Sequence, residues 1–319
     1  MAYKVLIPQD VMEEGKEYLR ERGYEIQMGS GITVEDIKKD VVDCDAILAR
    51  TAPFPEEVIE AGEKLKVIAR HGVGVDNIAV KRAEELGIWV TNARESNSNT
   101  VAEYATGMIV ALGRNFVRGD RATRSGDWEL RNRVRGVDIE GKTLGVLGMG
   151  KIGRIVAKKA SLGLSMKVIA YDPFLAGRDF PEEVEKVEEW NEVFDRADFI
   201  SVHIPSTAET KKAIGKAEFE RMKEGAYLIN AARGDVVDEE ALVTALEDGD
   251  IAGAGLDVYE QEPPASKHPL YGLENVILTP HNAALTTECM RRMALHAAQG
   301  IHEVLSGQNP TWPVNSPKS

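Results

Sequence analysis

The chain reads as an α/β protein built from two parallel-sheet domains. Three observations predict this: short apolar runs alternate with amphipathic segments along most of its 319 residues, the alternation pauses between about residues 99 and 142, and a glycine-rich turn opens the second series. Strands that alternate with helices of this length need crossover connections, which lay helices on the faces of a parallel sheet. The length suits about two domains, each large enough to bury its own core. A composition of 43% hydrophobic and 29% charged residues belongs to an ordinary soluble globular chain.

The first series begins with KVLIP at residue 4 and runs to about residue 93. Its pairs are KVLIP with VMEEGKEYLRERG, YEIQM with ITVEDIKKDV, AILAR with PEEVIEAG, and KVIARHG with DNIAVKRAEELG, closed by WVTNA. NTVAEYATGMIVALGRNFV, from Asn99 to Val117, is apolar around much of its circumference, which predicts a buried helix capped by Asn99 or Thr100. A polar, arginine-rich connection containing RSGDWELRNRVRG follows it. The second series has strands TLGVLG, KVIAYD, DFISVHI, AYLINAA, AGAGLDVY and NVILTPH, and between the first two of them VAKKASLGL reads as a helix.

TTECMRRMALHAAQGIHEVLSG then predicts an amphipathic helix that stops at Gly307. It has no strand of its own to cover, so it is expected to cross back onto the first unit. The first domain would then be discontinuous, residues 1–98 plus 286–319, with 99–285 inserted and a hinge over a cleft at the two crossings. The tail Pro310 to Ser319 has three prolines and no periodicity, and is expected to be extended or loosely ordered.

A net charge of −13 argues against a nucleic-acid surface, because no Lys/Arg excess exists to release counterions from phosphates. The cluster RNRVRG lacks interleaved aromatics and reads as a solvated loop or subunit contact. MAYKVLIPQD is a first strand ended by Pro8, not a signal peptide. No stretch approaches 18 apolar residues, so no membrane partner is expected and a cytoplasmic location is the default. Cys44 and Cys289 form neither a disulfide framework nor a metal spacing, which fits a reducing compartment; no metal is expected.

The stretch LGVLGMGKIG carries the sharpest motif. Gly148 suits a tight turn out of a strand, Gly150 lets backbone approach a pyrophosphate, and Gly153 lets the next helix pack closely on the strand. A helix beginning near Lys151 would aim free N–H groups and its positive end at phosphates. Asp172 ends the next apolar run, 24 residues beyond Gly148, where a carboxylate meets ribose hydroxyls. A 2′-phosphate there would meet a like charge, costing about 4 kcal/mol at 4 Å and an effective dielectric of 20, so NAD is favoured over NADP.

Ligands in open α/β sheets bind beyond the carboxyl ends of the strands. In the second series that rule selects His203, Ile204 and Pro205, then Arg233, which follows Ala231 and Ala232 of LINAA, then Glu260 and Glu262 with Asp257 in the strand, and finally His281. Arg233, Glu262 and His281 make a chemically complete group for hydride transfer. A histidine moves the proton on or off oxygen, a carboxylate orients it and favours imidazolium, and an arginine offers a fork to a substrate carboxylate. Of the six histidines, His203 is expected to line the cofactor cleft, while His268, His296 and His302 read as surface or helix-packing residues.

The motifs ARHGVGVDNI at 69–78, NSNTVAEY at 97–104, GKTLGVLGMGKIG at 141–153, NAARGDVVDEEAL at 230–242, GLDVYEQEPP at 255–264 and TPHNAA at 279–284 together resemble the NAD-dependent D-2-hydroxyacid dehydrogenases. That family includes phosphoglycerate, glycerate and formate dehydrogenases, and the resemblance covers essentially the whole chain. It implies a Rossmann domain inserted in a flavodoxin-like substrate domain, and reversible interconversion of a D-2-hydroxy acid and a 2-keto acid. Arg233 would bind substrate, Glu262 would pair with His281, and His281 would be the acid/base; Glu260 competes with Glu262 but lacks its place before Pro263. Cofactor contacts are implied at Lys151, Ile152, Asp172, Ile204, Ala231, Asp257 and His281, and substrate contacts around Val73 and Gly74.

Arg50 and Arg70 stand where phosphoglycerate dehydrogenases carry anion-binding arginines. His71 stands where those enzymes more often have a small residue, a departure that counts against phosphoglycerate itself; a glyoxylate or hydroxypyruvate reductase is the alternative. Trp128 reads as packing or a dimer contact, and a homodimer is implied by the resemblance. The C-terminal regulatory extension of some phosphoglycerate dehydrogenases is not expected, nor is serine feedback. A reading from another class is an NAD-sensing, corepressor-like interaction protein, set against the enzyme by intact catalytic groups.

Overall fold

In the computed structural model, which describes residues 2–317, the first series forms five four-residue strands. They are β1 (Lys4–Ile7), β2 (Glu25–Met28), β3 (Ala46–Ala49), β4 (Val67–Arg70) and β5 (Trp89–Asn92), joined by α1 (Glu13–Glu21), α2 (Val34–Val41), α3 (Glu56–Ala61) and α4 (Val80–Glu85). Every pair is parallel, in the order β2-β1-β3-β4-β5, a doubly wound, flavodoxin-like arrangement. Thr33 caps α2 by accepting from the Asp36 N–H. Residues alternate between two cores: Leu6, Ile47 and Ile68 face Ile37, Val58 and Ile59, while Val5, Leu48 and Val67 face the other way.

The second series supplies α5 (Ser98–Gly113), α6 (Phe116–Arg124), α7 (Leu130–Arg133), β6 (Thr143–Leu147), α8 (Lys151–Lys158), β7 (Lys167–Tyr171), β8 (Val184–Lys186), α9 (Trp190–Arg196), β9 (Phe199–Val202), α10 (Lys216–Arg221), β10 (Tyr227–Asn230), α11 (Glu239–Asp248), β11 (Gly253–Leu256) and β12 (Val276–Leu278). The seven strands are all parallel, in the order β12-β11-β10-β9-β6-β7-β8. The order in which strands are added reverses between β6 and β9, the switch point of a Rossmann sheet.

The last helix, α12 (Thr287–Leu305), belongs to the first unit. Its Ala294, Ala297, Ala298 and Ile301 cover one face of the five-stranded sheet with Leu19. Small residues permit this: a β-carbon on Gly15 of α1 would sit 2.8 Å from the Ala294 carbonyl oxygen. The two units are Met1–Asn97 with Ala284–Ser319, and Ser98–Ala283. No helix among the described residues is long and apolar enough to cross a membrane.

The structure corrects several sequence expectations. The predicted helix from Asn99 to Val117 ends at Gly113, because Asn115 turns left-handed (φ 54°) and the Gly113 carbonyl accepts from Val137 N–H at 2.7 Å. Neither Asn99 nor Thr100 caps it: α5 starts at Ser98, and the Asn99 amide instead donates to Glu103, one turn on. The arginine-rich connection contains α6 and α7, which bury none of their residues, and Trp128 is 62% exposed and does not pack on the core. VAKKASLGL is helical as expected, although it changes from α-helix to π-helix over Lys159–Gly163. The three-residue β8 was not expected, since its VEK has no apolar run.

Of the two expectations for the tail, extended or loosely ordered, loose order does not hold over residues 312–315. Val314 N–H donates to Val90 O, Asn92 N–H to Trp312 O, and the buried Asn315 side chain bonds both Val90 N and Ile88 O. The outer edge of β5 otherwise presents unpaired backbone groups, each costing about 1–3 kcal/mol if buried without a partner. That demand orders the segment, although it has no periodic pattern. The last two tail residues lie outside the described residues.

Candidate active site

The glycine turn follows β6 directly, and α8 starts at Lys151 with Gly150 at its cap position and no side chain closing that end. Gly148 has φ 94°, and a β-carbon there would lie 2.7 Å from the His203 carbonyl oxygen across the switch point. A β-carbon on Gly153 would lie 2.0 Å from the Gly148 carbonyl oxygen, so only glycine lets α8 approach. At Gly150 a β-carbon meets nothing within 4 Å: the side facing the cap is open. Asp172 accepts from the Met149 N–H at 2.9 Å and from the Phe174 N–H at 3.0 Å, which ties its carboxylate to the loop. Each oxygen keeps a lone pair for a ribose hydroxyl. An open helix N-terminus, a crowded glycine turn and an anchored carboxylate fit a dinucleotide. Lys151 is exposed beside this turn, and Ile152 packs into the unit's core.

The next strand ends stand along the same sheet edge. His203 N–H continues the β6–β9 pairing to Leu147 O, and its Nε2 meets Ser201 Oγ at 2.8 Å. Burial pushes its pKa down to about 4, so the ring is neutral at pH 7. Ile204 lies against Gly148, and the Pro205 carbonyl accepts from Thr210. After β10, the buried Asn230 side chain donates to Arg233 O and accepts from Ala232 N, which folds Ala231–Arg233 into a tight turn. Arg233 is partly buried and donates from Nη1 to Ala232 O at 2.8 Å.

Asp257 sits just past β11, not within it as expected, and is 1% exposed. Its oxygens accept from Thr279 Oγ1 at 2.7 Å, Asn282 N at 2.9 Å and Ala283 N at 2.8 Å. Three bonds to one carboxylate clamp the turn around His281, whose backbone is left-handed at φ 50°.

His281 Nδ1 and Glu262 Oε2 lie 2.6 Å apart, and Glu262 Oε1 accepts from the Tyr259 N–H. The hydrogen bond to Glu262 raises the pKa of His281 above its ordinary value, against burial and the Arg233 charge. Burial pushes Glu262 up, but His281, the Tyr259 N–H and Arg233 together hold it below the usual carboxylate range. With side chains 54% and 36% exposed, such a pair adds only about 0–1 kcal/mol to stability; its effect is on proton affinity and ring orientation. Glu260 does not compete: its Oε1 takes Lys212 Nζ and the Glu239 N–H.

The remaining predicted residues belong to the first unit. Arg50 follows β3 directly and donates to Asp10 O; Arg70 ends β4 and donates to His71 O. His71 is 3% exposed, and burial, then the charges of Arg50 and Arg70, push its pKa down to about 4. Val73 O accepts from Asn92 Nδ2, and Gly74 follows on the same partly buried loop. Of the other histidines, His268 bonds Glu239, His302 bonds Tyr24, and His296 stacks on Trp312. Among the described residues, no group of three or more His, Cys, Asp or Glu is arranged to hold a metal ion.

Sequence reasoning passed over the residues that shape this edge: Asn230, Thr279, Tyr259, and Tyr104, whose hydroxyl donates to Asn282 Oδ1 at 2.8 Å. Polar residues inside or next to apolar strands, such as the Asn of LINAA, were the available signal.

The sequence profile of the D-isomer specific 2-hydroxyacid dehydrogenase NAD binding domain matches residues 106–283. Glyoxylate reductase of Korarchaeum cryptofilum is 38% identical over 99% of this chain and 96% of its own length. D-3-phosphoglycerate dehydrogenase of Archaeoglobus fulgidus is 40% identical over 98% of this chain, which spans 59% of that enzyme's length. A crystal structure of a Thermus thermophilus protein superposes with a TM-score of 0.90 at 35% identity, covering 98% of this chain and 100% of that one. The chain belongs to the D-isomer specific 2-hydroxyacid dehydrogenase family, and its second unit is that family's NAD-binding domain.

Proposed function

We propose that the chain catalyses reversible, NAD-linked interconversion of a D-2-hydroxy acid and its 2-keto acid, in the manner of a phosphoglycerate dehydrogenase. The bond between His281 Nδ1 and Glu262 Oε2 is the observation that supports this most directly. It commits one ring nitrogen to the carboxylate and leaves Nε2 to exchange a proton with substrate. When bound, NAD takes up or supplies the hydride. In reduction, His281 Nε2 gives its proton to the carbonyl oxygen; in oxidation, it takes the proton of the hydroxyl. Glu262 stabilises the imidazolium, and Arg233 receives the substrate carboxylate in its guanidinium fork. Arg50, Arg70 and the loop at Val73 and Gly74 add further substrate contacts, and the first unit is the substrate domain.

A second reading, a glyoxylate or hydroxypyruvate reductase, is favoured by the buried His71, kept neutral by burial and then by the charges of Arg50 and Arg70. The relative named glyoxylate reductase, matched over 96% of its length, supports it too. The chain is proposed to work in the cytoplasm as a homodimer. Its two cysteines are buried and form no disulfide, which suits a reducing compartment, and Phe116 and Trp128 stand 59% and 62% exposed around helices that bury nothing.

His281→Ala should lower kcat by about 10² to 10⁴ and leave the NADH dissociation constant, read by fluorescence titration, nearly unchanged. Wild-type turnover in that variant would remove His281 from the mechanism. Reduction needs imidazolium, so its kcat/KM should hold at low pH and fall as pH rises through the raised pKa of His281. Glu262→Gln should move that limb to lower pH; an unmoved limb counts against the pairing. A panel of 2-keto acids decides the substrate: a clear preference for phosphohydroxypyruvate, lost by about tenfold or more in Arg50→Ala or Arg70→Ala, supports the first reading. Preference for glyoxylate or hydroxypyruvate supports the second. Light scattering should give twice the chain mass, and Trp128→Asp should shift it toward the monomer; a monomeric wild type refutes the dimer.

A further inference from the structure

Glu262 is carried by the loop between β11 and Pro269, buried over 257–259 and exposed over 260–263, and two points of that loop, Glu260 and His268, meet one carboxylate. Glu239, the first residue of α11, accepts from the Glu260 N–H through Oε1 at 2.8 Å. Glu260 returns the bond, its Oε1 accepting from the Glu239 N–H at 3.0 Å. At the far end, His268 Nδ1 accepts from Leu270 N–H, so Nε2 carries the hydrogen that meets Glu239 Oε2 at 3.1 Å. The Glu239 and His268 side chains are each only 14% exposed. Lys212 Nζ reinforces the near end, 2.9 Å from Glu260 and 3.5 Å from Asp238. The loop root is also pressed against the Arg233 turn: a β-carbon on Gly234 would lie 2.0 Å from the Tyr259 carbonyl.

We propose that Glu239 is a positioning residue: by holding both Glu260 and His268 it fixes the loop that presents Glu262 to His281. None of these groups touches the reacting atoms, and the inference rests on the His281–Glu262 pair described above. A 2.6 Å bond between half-exposed side chains is sensitive to small displacement, and the loop's own backbone grips Glu262 through the Tyr259 N–H. The charged groups that face His281 are Glu262, Asp257 and Arg233, and those around the clasp are Lys212, Asp238, Glu239, Glu260 and His268.

The test is an NMR titration of His281 in the full-length protein carrying labelled histidine, in wild type, Glu239→Ala and His268→Gln. His268→Gln removes no carboxylate, so a shift there comes from position and not from lost negative charge. Both variants should titrate His281 lower by about half a pH unit or more, a threefold loss of proton affinity, and the alkaline limb of kcat/KM for reduction should move with it. In a Glu262→Gln background neither substitution should move His281 further. A wild-type His281 titration in a folded His268→Gln protein overturns the proposal, as does a fall in Tm alone. A moved titration with an unmoved activity limb keeps the clasp and refutes the acid/base role of His281 instead.

Discussion

Parallel pairing is the constraint on which the site depends. Every strand pair in the second unit is parallel, so every strand delivers its carboxyl end to the same edge. Residues far apart in the chain, from Gly148 to His281, therefore reach one line without any local sequence relation. The crossovers also bury both faces of the sheet, which leaves polar side chains little choice but the strand ends.

Carboxylates do most of the organising in this acidic chain, each in a different state of commitment. Asp257 is buried and saturated by the 279–283 turn, so it acts as scaffold. Asp172 is half committed to loop backbone and half available to a ribose. Glu262 gives one oxygen to the Tyr259 N–H and the other to His281. Burial sorts the roles: where solvent is excluded, full satisfaction is compulsory, and where it is admitted, a lone pair can be left for chemistry.

The fold was legible wherever burial leaves a repeating imprint. The strand runs read from sequence appear as strands, most of them because a strand covered on both faces must be an unbroken apolar run; the edge strand β2 leaves Glu25 and Met28 exposed. VEK of β8 escaped because an edge strand needs no such run. The helix break at Asn115 and the ordered tail escaped because each depends on distant backbone, Gly113 on Val137 and Asn315 on Val90. At the site, the glycine spacing and the group of Arg233, Glu262 and His281 were visible as residue types at strand ends. The clamps behind them were not: Asn230, Thr279, Tyr104 and Glu239 look like ordinary residues until the chain has folded.

The strip of chain from Trp312 to Asn315 also bears on how the protein behaves among other proteins. An open parallel sheet has two lateral edges, and an uncovered one is a template for any extended peptide that drifts past. By lying along β5 with its own backbone and the Asn315 amide, the tail occupies that template in advance. The segment with the least internal pattern thus works as a guard against intermolecular pairing, and its value is colloidal as much as structural.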